Sequence, residues 1–290
     1  IKNILGIFLL LFRFAGQLFQ SVIESGNWST SDNWAKSEGG GSGSCGGVGA
    51  NEVPGSGDTA IIEGGQYVEV DVTLEVEELI FQSGSGTGVN DRTVLNPRVS
   101  DPLKVTGDVI AGDNVQFNTS GAFASADLNV TGNFNAGGAE IMQGGSPSTP
   151  NGENFIFQIF NGAGTESEAQ ITGNAVFGTS SASGLDIRLG EAAVLSVKGD
   201  ASFGNGSVDF ENGFAFLEIG GNLASGASTS FDRVGDSRLV LDGSSMQTVT
   251  GGLSDAPSVF VGSSSSTTFE SAVSSDSLDI SDGGALTLGS

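Results

Sequence analysis

Six heptapeptides with one shared pattern constrain this chain more than any other feature. LKVTGDV from Leu103, LNVTGNF from Leu128, AQITGNA from Ala169, LSVKGDA from Leu195, LEIGGNL from Leu217 and LVLDGSS from Leu239 each have an apolar residue at positions one and three. Each also has Gly at position five: Gly107, Gly132, Gly173, Gly199, Gly221 and Gly243. The starts fall 25, 41, 26, 22 and 22 residues apart. A unit recurring about every 22 residues is the signature of a solenoid, whose units bury their apolar face only by stacking. Looser copies begin at Leu79 and Leu278. The 41-residue step and the 39 residues from Leu239 to Leu278 each approximate two periods, with NFIFQIFNG and SVFVGSSSS filling the missing turns.

Apolar residues alternate at period two within a unit, which marks a strand with one buried face: Leu103 and Val105 inward, Lys104 and Thr106 outward. Gly followed by Asp or Asn predicts a turn built on their tolerance of positive φ. A second strand-like patch about 14 residues after each start puts Phe117, Met142, Phe210, Phe231 and Leu253 in one internal ladder with a ~4.8 Å repeat. No window beyond the first twenty residues has helical periodicity. The expected fold is all-β: a right-handed parallel β-helix (β-solenoid) of roughly nine ~22-residue coils with an N-terminal cap. Tandem β-sandwiches, also made of short strands and turns, are the alternative.

Composition then removes whole classes of function. The 47 Gly among 290 residues would suit a low-complexity chain, but 19 Phe and 37% hydrophobic residues supply a core. A net charge of −24 with ten scattered Lys and Arg argues against nucleic-acid binding, which needs clustered cations. With no His, one Tyr and one Cys, the inventory excludes a Ser-His-Asp triad, a Cys-His pair and any His-containing zinc site.

Residues 1–20 begin with Lys2 and an apolar run from Ile4 to Phe12 that is too short to span a bilayer, and they read as a secretory signal peptide. No membrane span is expected after its removal. Residues 21–78 read as the cap and first coils. Residues 79–290 read as solenoid repeats whose strand-like pattern is still running at the end, as in a fragment of a longer protein. Cys45 in a Gly-rich loop reads as an inert thiol.

The stretch SGNWSTSDNW with Trp28 and Trp34, the run Val53 to Asp58, Gly64 and Gly65, and the strand Val68 to Asp71 resemble the opening of bacterial secreted β-helical surface proteins. They are also similar to the G8-type module of large extracellular β-helix proteins. LVLDGSSMQTVTGG, Leu239 to Gly252, resembles a repeat of the same surface proteins, often cargo of the type IX secretion pathway. The resemblance covers Ser25 to Gly84 best and implies an adhesin-like, extracellular β-helix. On physical grounds Trp28 and Trp34 suit a cap over the first coil; a sugar-stacking platform is the rival reading.

The remaining motifs carry little chemistry. Gly41, Gly43 and Gly46 satisfy G-x-G-x-x-G without the helix that a dinucleotide site needs. Asp58, Asp108, Asp113, Asp200 and Asp242 read as solvated turn carboxylates, leaving weak calcium binding open and no ligand assigned. Sequons occur at Asn27, Asn118, Asn129 and Asn205, and Asp58-Thr59-Ala60 and Asp276-Ser277-Leu278 resemble short acidic O-glycosylation sites. No paired carboxylates can be placed on one face beside cations, so no catalytic residue and no cofactor are assigned. The expectation is a secreted or cell-surface structural, adhesin-like solenoid, not an enzyme. It would act as a rigid acidic spacer or as a surface-binding module for extracellular glycan, matrix or cell envelope. The alternative is a carbohydrate-active β-helix enzyme, a polysaccharide lyase or glycosidase whose catalytic part is weak or missing here.

Overall fold

The computed structural model describes residues 18–21, 25–36, 52–83, 92–98, 101–112, 114–118, 127–136, 156–159, 167–178, 183–190, 192–210, 214–232 and 235–289. These residues form short strands in three sheets, here called one, two and three, of twelve, ten and nine strands. The only helical element among them is a 3-10 turn, Ser31–Asn33. The chain visits the sheets in a fixed order. From Leu103–Val105 on sheet three it passes to Val109–Ala111 on sheet one, then Val115–Asn118 on sheet two, and returns to sheet three at Leu128–Val130. Strands of successive coils pair in parallel, as in the β-solenoid expected and unlike the hairpins of a sandwich. Nine strands on sheet three are separated by eight steps, which makes about eight turns and, at ~4.8 Å per step, a stack about 40 Å long.

Sheet three is the heptapeptide sheet, and its register reproduces the sequence alignment residue by residue. Leu103 pairs with Leu128, Leu128 with Ala169, Ala169 with Leu195, Leu195 with Leu217, and Leu217 with Leu239. Val259 and then Leu278 follow Leu239, so SVFVGSSSS does supply a turn. Two expectations fail. The 41 residues from Leu128 to Ala169 make one long coil, because these two residues pair directly and NFIFQIFNG supplies the sheet-two strand Ile156–Ile159 of that same coil. Leu79 does not open a unit, since it sits on sheet one opposite Val109. The first unit starts at Leu74, with Glu75 opposite Lys104 and Val76 opposite Val105.

That first unit reads Leu-Glu-Val-Glu-Glu, with Glu78 at the fifth position, and reaches sheet one early, so that the Glu77 carbonyl takes the Gly107 N–H. Gly107, Gly132, Gly173, Gly199 and Gly221 do not have positive φ, so the turn argument for them is wrong. They are required because neighbouring coils touch here. A Cβ on Gly173 would lie 2.5 Å from the Gly132 carbonyl oxygen, and one on Gly199 would lie 2.6 Å from that of Gly173. Each glycine N–H donates to the carbonyl of the coil before: Gly132 to Gly107, Gly173 to Gly132, Gly199 to Gly173 and Gly221 to Gly199. Glu77 makes the equivalent bond, its N–H donating to the Asp58 carbonyl of the coil before at 2.9 Å.

The interior is filled by exchange of large and small side chains. On sheet one Phe134 is followed two residues on by Ala136, whereas the next coils place Ala175 before Phe177 and Ala201 before Phe203, all buried. The ring thus changes column between the Phe134 and Phe177 coils and keeps it from Phe177 to Phe203, while each coil holds one large and one small side chain, as close packing demands. The rings follow one another through the core: Phe81, Phe117, Phe134, Phe177, Phe203 and Phe231 stand 5.2–6.0 Å apart from centroid to centroid. The single ladder expected on sheet two is only partly present. Phe117 and Phe231 share a column, reached through Phe157, Ile187 and Val208. Phe210 stands two residues further along, opposite Leu189, and Leu253 lies one residue before Ser254, which faces Ser230. Met142 lies outside the described residues. A fixed 14-residue offset fails because the connections around sheet two differ in length from coil to coil.

Leu18–Ser21, inside the stretch read as a leader, pairs in parallel with Thr59–Ile62, and its Phe19 is buried. Trp34–Lys36 folds back antiparallel on that strand and closes the N-terminal end of sheet one. Two comparisons test the stack. Gly173→Ala is expected to cost about 1–3 kcal/mol by overpacking, whereas Glu77→Ala is near neutral; denaturant titration reads both. Leu195→Asp is expected to cost several times more than Lys104→Ser, about 4 kcal/mol or above, and equal losses for that pair would refute the inward and outward assignment.

Candidate functional site

Three constructions use polar side chains, and two of them are structural. The first is the cap. Trp28 and Trp34 are each 1% exposed, pack edge to face at 4.6 Å, and donate their indole N–H groups to the carbonyls of Pro54 and Trp28 respectively. Buried this far, neither ring can serve as a sugar platform. Asp71 ties the cap segment to the first coil, accepting from Asn27 Nδ2 at 3.0 Å, Ser29 N at 2.9 Å and Ser29 Oγ at 2.6 Å. Partial burial pushes the Asp71 pKa up, but these hydrogen bonds outweigh it and hold the carboxyl below its ordinary value.

The second construction is a rail at the corner between sheets three and one. Asp108, Asn133, Asn174, Asp200 and Asn222 occupy the position after the ladder glycine. Each offers its Oδ1 to the backbone N–H one coil on: Asp108 to Asn133, Asn133 to Asn174, Asn174 to Asp200, Asp200 to Asn222 and Asn222 to Thr248, at 2.7–3.0 Å. Of the carboxylates read as solvated turns, Asp108 and Asp200 are thus hydrogen-bond acceptors in the rail, and Asp58 caps its own turn at Gly55 N. After Gly243 four extra residues enter before Thr248, and Gln247 fills the corner from inside. Its Nε2 donates to the carbonyls of Ile219 and Gly221, and its Oε1 accepts from Gly243 N and Ser265 Oγ. The side-chain amide stands in for a peptide group, which gives the LVLDGSSMQTVTGG pattern a physical reason. Beside the rail, two shallow grooves of about 440 and 300 Å³ run over Val176, Ser202 and Thr250 and over Ile110 and Asn135.

The outer face of sheet two is different in kind. Its outward positions carry Tyr67 and Glu69 on one coil, Arg92, Asn96 and Arg98 on the next, and Gln116 and Asn118 on the third. Beyond the Ile156–Ile159 coil come Asp186 and Arg188, then Ser207 and Asp209, then Ser230 and Asp232. Three of the ten Lys and Arg of the whole chain stand on this one face. Each is engaged: Arg98 with Glu69 at 2.6 Å, Arg188 with both oxygens of Asp186 at 2.7–3.1 Å, and Arg92 with Gln116 at 3.3 Å. Asn118 donates to Asn96, and Gln116 to Asn118. Tyr67, 37% exposed, is the only tyrosine. Burial raises its pKa, as does Glu69, against the opposing effects of Arg98 and a hydrogen bond with Asn96, so the phenol keeps its proton at neutral pH.

At the other end of the face, burial raises the pKa of Asp209. A hydrogen bond from Ser207 and the charge of Arg188 lower it, while the neighbouring carboxylates Asp232 and Asp186 add to the rise. Its Oδ1 is buried without a hydrogen-bond partner. The expectation that carboxylates and cations share no face therefore does not hold: Asp186, Arg188, Asp209 and Asp232 come together here. In the register Asp209 stands opposite Arg188 on one side and Asp232 on the other, with Asp186 on the diagonal, opposite Ser207. Among the described residues no three His, Cys, Asp or Glu side chains are grouped so as to hold a metal ion. No helix among them is long and apolar enough to cross a membrane.

Other candidates separate cleanly. Asn118 is buried and Asn27 is bonded to Asp71, so neither sequon offers a free amide. Asn205 accepts from Ser228 N, and Asn129 is half-buried on sheet three. Thr59 is buried, while Asp276 is exposed and Ser277 half-buried on the last coil. Asp242 is exposed. Cys45, Asp113 and Gly41, Gly43 and Gly46 lie outside the described residues. No protein-family model matches the chain, and neither the curated proteins nor the solved structures yield a match.

The two shifted aspartates predict opposite pH effects. The contribution of Asp71 is present above its unfolded value of ~pH 4 and is lost as pH falls through its lower folded value. Asp71→Asn should therefore lower the Tm at pH 7, with the difference from wild type shrinking in acid. For Asp209 the favourable state is the protonated one, complete below ~pH 4 and lost as pH rises through the raised folded value. Asp209→Asn should raise the Tm at pH 7 and leave it unchanged in acid. Gln247→Met, which strands two carbonyls and an N–H, should cost about 2–4 kcal/mol, whereas Met246→Ala next to it should be silent; thermal and denaturant melts read all four variants.

Proposed function

We propose that the protein is a secreted or cell-surface structural module, adhesin-like in the sense that a rigid acidic solenoid holds a binding surface away from its point of attachment. One observation carries this reading: among the described residues successive coils are tied by backbone ladders on three sheets, and those from Asp108 to Thr248 again by the Asp and Asn rail. A rod built this way bends little, and its net charge of −24 keeps rods apart. The leader-like first residues and the likeness of the Ser25 to Gly84 opening to bacterial β-helical surface proteins support an extracellular location. Extracellular glycan, matrix or cell envelope are the partners this reading implies, and no nucleic acid fits the charge. Because Leu18–Ser21 is paired into sheet one, processing of a leader would fall before Leu18.

A second reading, a carbohydrate-active enzyme, is favoured by one observation alone. Asp209, with its raised pKa and two neighbouring carboxylates, is the kind of group that can act as a general acid. The two readings part in one experiment. The full chain is incubated with neutral and acidic polysaccharides, and reducing ends and unsaturated products are measured. The structural reading expects no turnover. Turnover that disappears in Asp209→Asn while the fold persists would establish the enzyme instead. Labelling of intact producing cells with an antibody to the chain, compared with lysed cells, tests the location.

A further inference from the structure

The three corners of the solenoid are not alike. From sheet three to sheet one the connection is three residues in five successive coils, Val105 to Val109, Val130 to Phe134, Ile171 to Ala175, Val197 to Ala201 and Ile219 to Leu223, one residue before them at Glu77 and four after them, as from Leu241 to Met246. The two connections that border sheet two vary widely. Before it, three residues separate Ala111 from Val115, twenty separate Asn135 from Ile156, five separate Phe177 from Ser183, and one separates Phe203 from Asn205. After it, nine separate Asn118 from Leu128, seven Ile159 from Ser167, three Leu189 from Ala193 and five Phe210 from Phe216. In repeat proteins, insertions gathered along one face mark the face that binds.

The other two outer faces lack a comparable set of groups. The outward column of sheet one reads Ile110, Asn135, Val176, Ser202, Ala224 and Thr250, small and uncharged. That of sheet three mixes Lys104, Asn129, Gln170, Glu218, Val240 and Phe260. Sheet three also turns rings and a guanidinium outward, at Phe216, Phe260 and Arg238, but among the described residues the run of side chains hydrogen-bonded to one another is found on sheet two.

We infer that the outer face of sheet two, from Tyr67 to Asp232, binds a neutral, hydroxyl-rich polysaccharide chain laid along the solenoid axis. The inference rests on the surface-binding reading above and names its partner and its place. Seven strands, hence six steps of ~4.8 Å, give this face a length of about 29 Å, enough for an extended chain of several sugars. Amides and carboxylates accept from sugar hydroxyls, amides and guanidinium N–H groups donate to them, and the ring of Tyr67 offers an apolar surface with a hydroxyl at its edge. Charge decides against a polyanion. Arg92, Arg98 and Arg188 already serve Gln116, Glu69 and Asp186, and the whole molecule is strongly negative.

The test is affinity electrophoresis of the full chain through gels containing a soluble neutral β-glucan, a galactomannan, polygalacturonate or a cationic chitosan. At least one neutral polymer is expected to retard wild type. Tyr67→Ala should weaken that retardation about tenfold, Tyr67→Phe should weaken it less, and the sheet-one variants Ser202→Ala and Ala224→Ser should leave it unchanged. Melting curves of the same samples verify that Tyr67→Ala stays folded. Retardation by a neutral polymer that Tyr67→Ala leaves intact overturns the placement on sheet two and leaves glycan binding standing. Retardation by the polyanion or the polycation alone overturns the neutral partner. No retardation in any gel removes the glycan-binding reading too, leaving only the spacer.

Discussion

The close approach of one coil to the next at the Gly-Asx corner is the contact on which the rest of this structure depends. A glycine N–H reaches the carbonyl of the coil before, and no side chain fits between. One residue later, an Asp or Asn oxygen takes the N–H of the coil after. Together they fix both the spacing and the register of the stack. A β-sheet one residue out of register turns its buried residues outward, so this corner also decides that Leu128 and Val130 point in and Asn129 points out. It explains why either Asp or Asn serves at the rail, since only the shared Oδ1 acceptor is used, and why glycine is retained where φ is ordinary.

Stacking, rather than residue type, is what confers burial in this molecule. Leu217, Leu239 and Leu278 occupy equivalent positions on sheet three; the first two are wholly buried, and Leu278, on the last strand of that sheet, is 43% exposed. A coil thus draws its stability from both neighbours, as expected of a one-dimensional assembly. The N-terminal end meets the same difficulty with a special construction. An antiparallel strand, two packed Trp rings and the Asp71 clasp cover what a preceding coil would have covered.

How much was legible in the sequence follows from which corner is constant. Sheet three could be read residue by residue because the three-residue turn after it keeps Leu, Val, Gly and Asx in step. Sheet two could not be read in this way. Connections of one to twenty residues slide its strands along the chain, so a fixed offset grouped Phe210 and Leu253 with Phe117, although the fold places them in other columns. The first unit stayed hidden because a single residue, Glu77, joins its strands, so no glycine falls at the fifth position. Reading the repeat only from its best-conserved corner also hid the acidic cluster. Asp209 and Asp232 are register partners and Asp186 is the diagonal neighbour of Asp209, but their flanking residues share no motif, and it takes the parallel register to bring them together.

The molecule therefore divides construction from chemistry. From Gly107 to Gly221 the sheet-three to sheet-one corner is constant, since a Cβ at Gly173 or a lost acceptor at Asn174 disturbs two coils at once, and where it lengthens after Gly243 the Gln247 amide supplies the contacts instead. Sheet two is held in place by that corner from the far side of the core, and its own borders are free to lengthen or shorten. Its outward residues are accordingly free to specialise: paired guanidinium and carboxylate groups, an amide ladder and the one tyrosine are found there. A carboxylate with a raised pKa such as Asp209 stands beside two others at some cost in stability, and nothing in the stacking of the coils requires it. An uncharged residue at that position would relieve the repulsion without touching the ladders or the core, so the packing of the coils does not account for the acid.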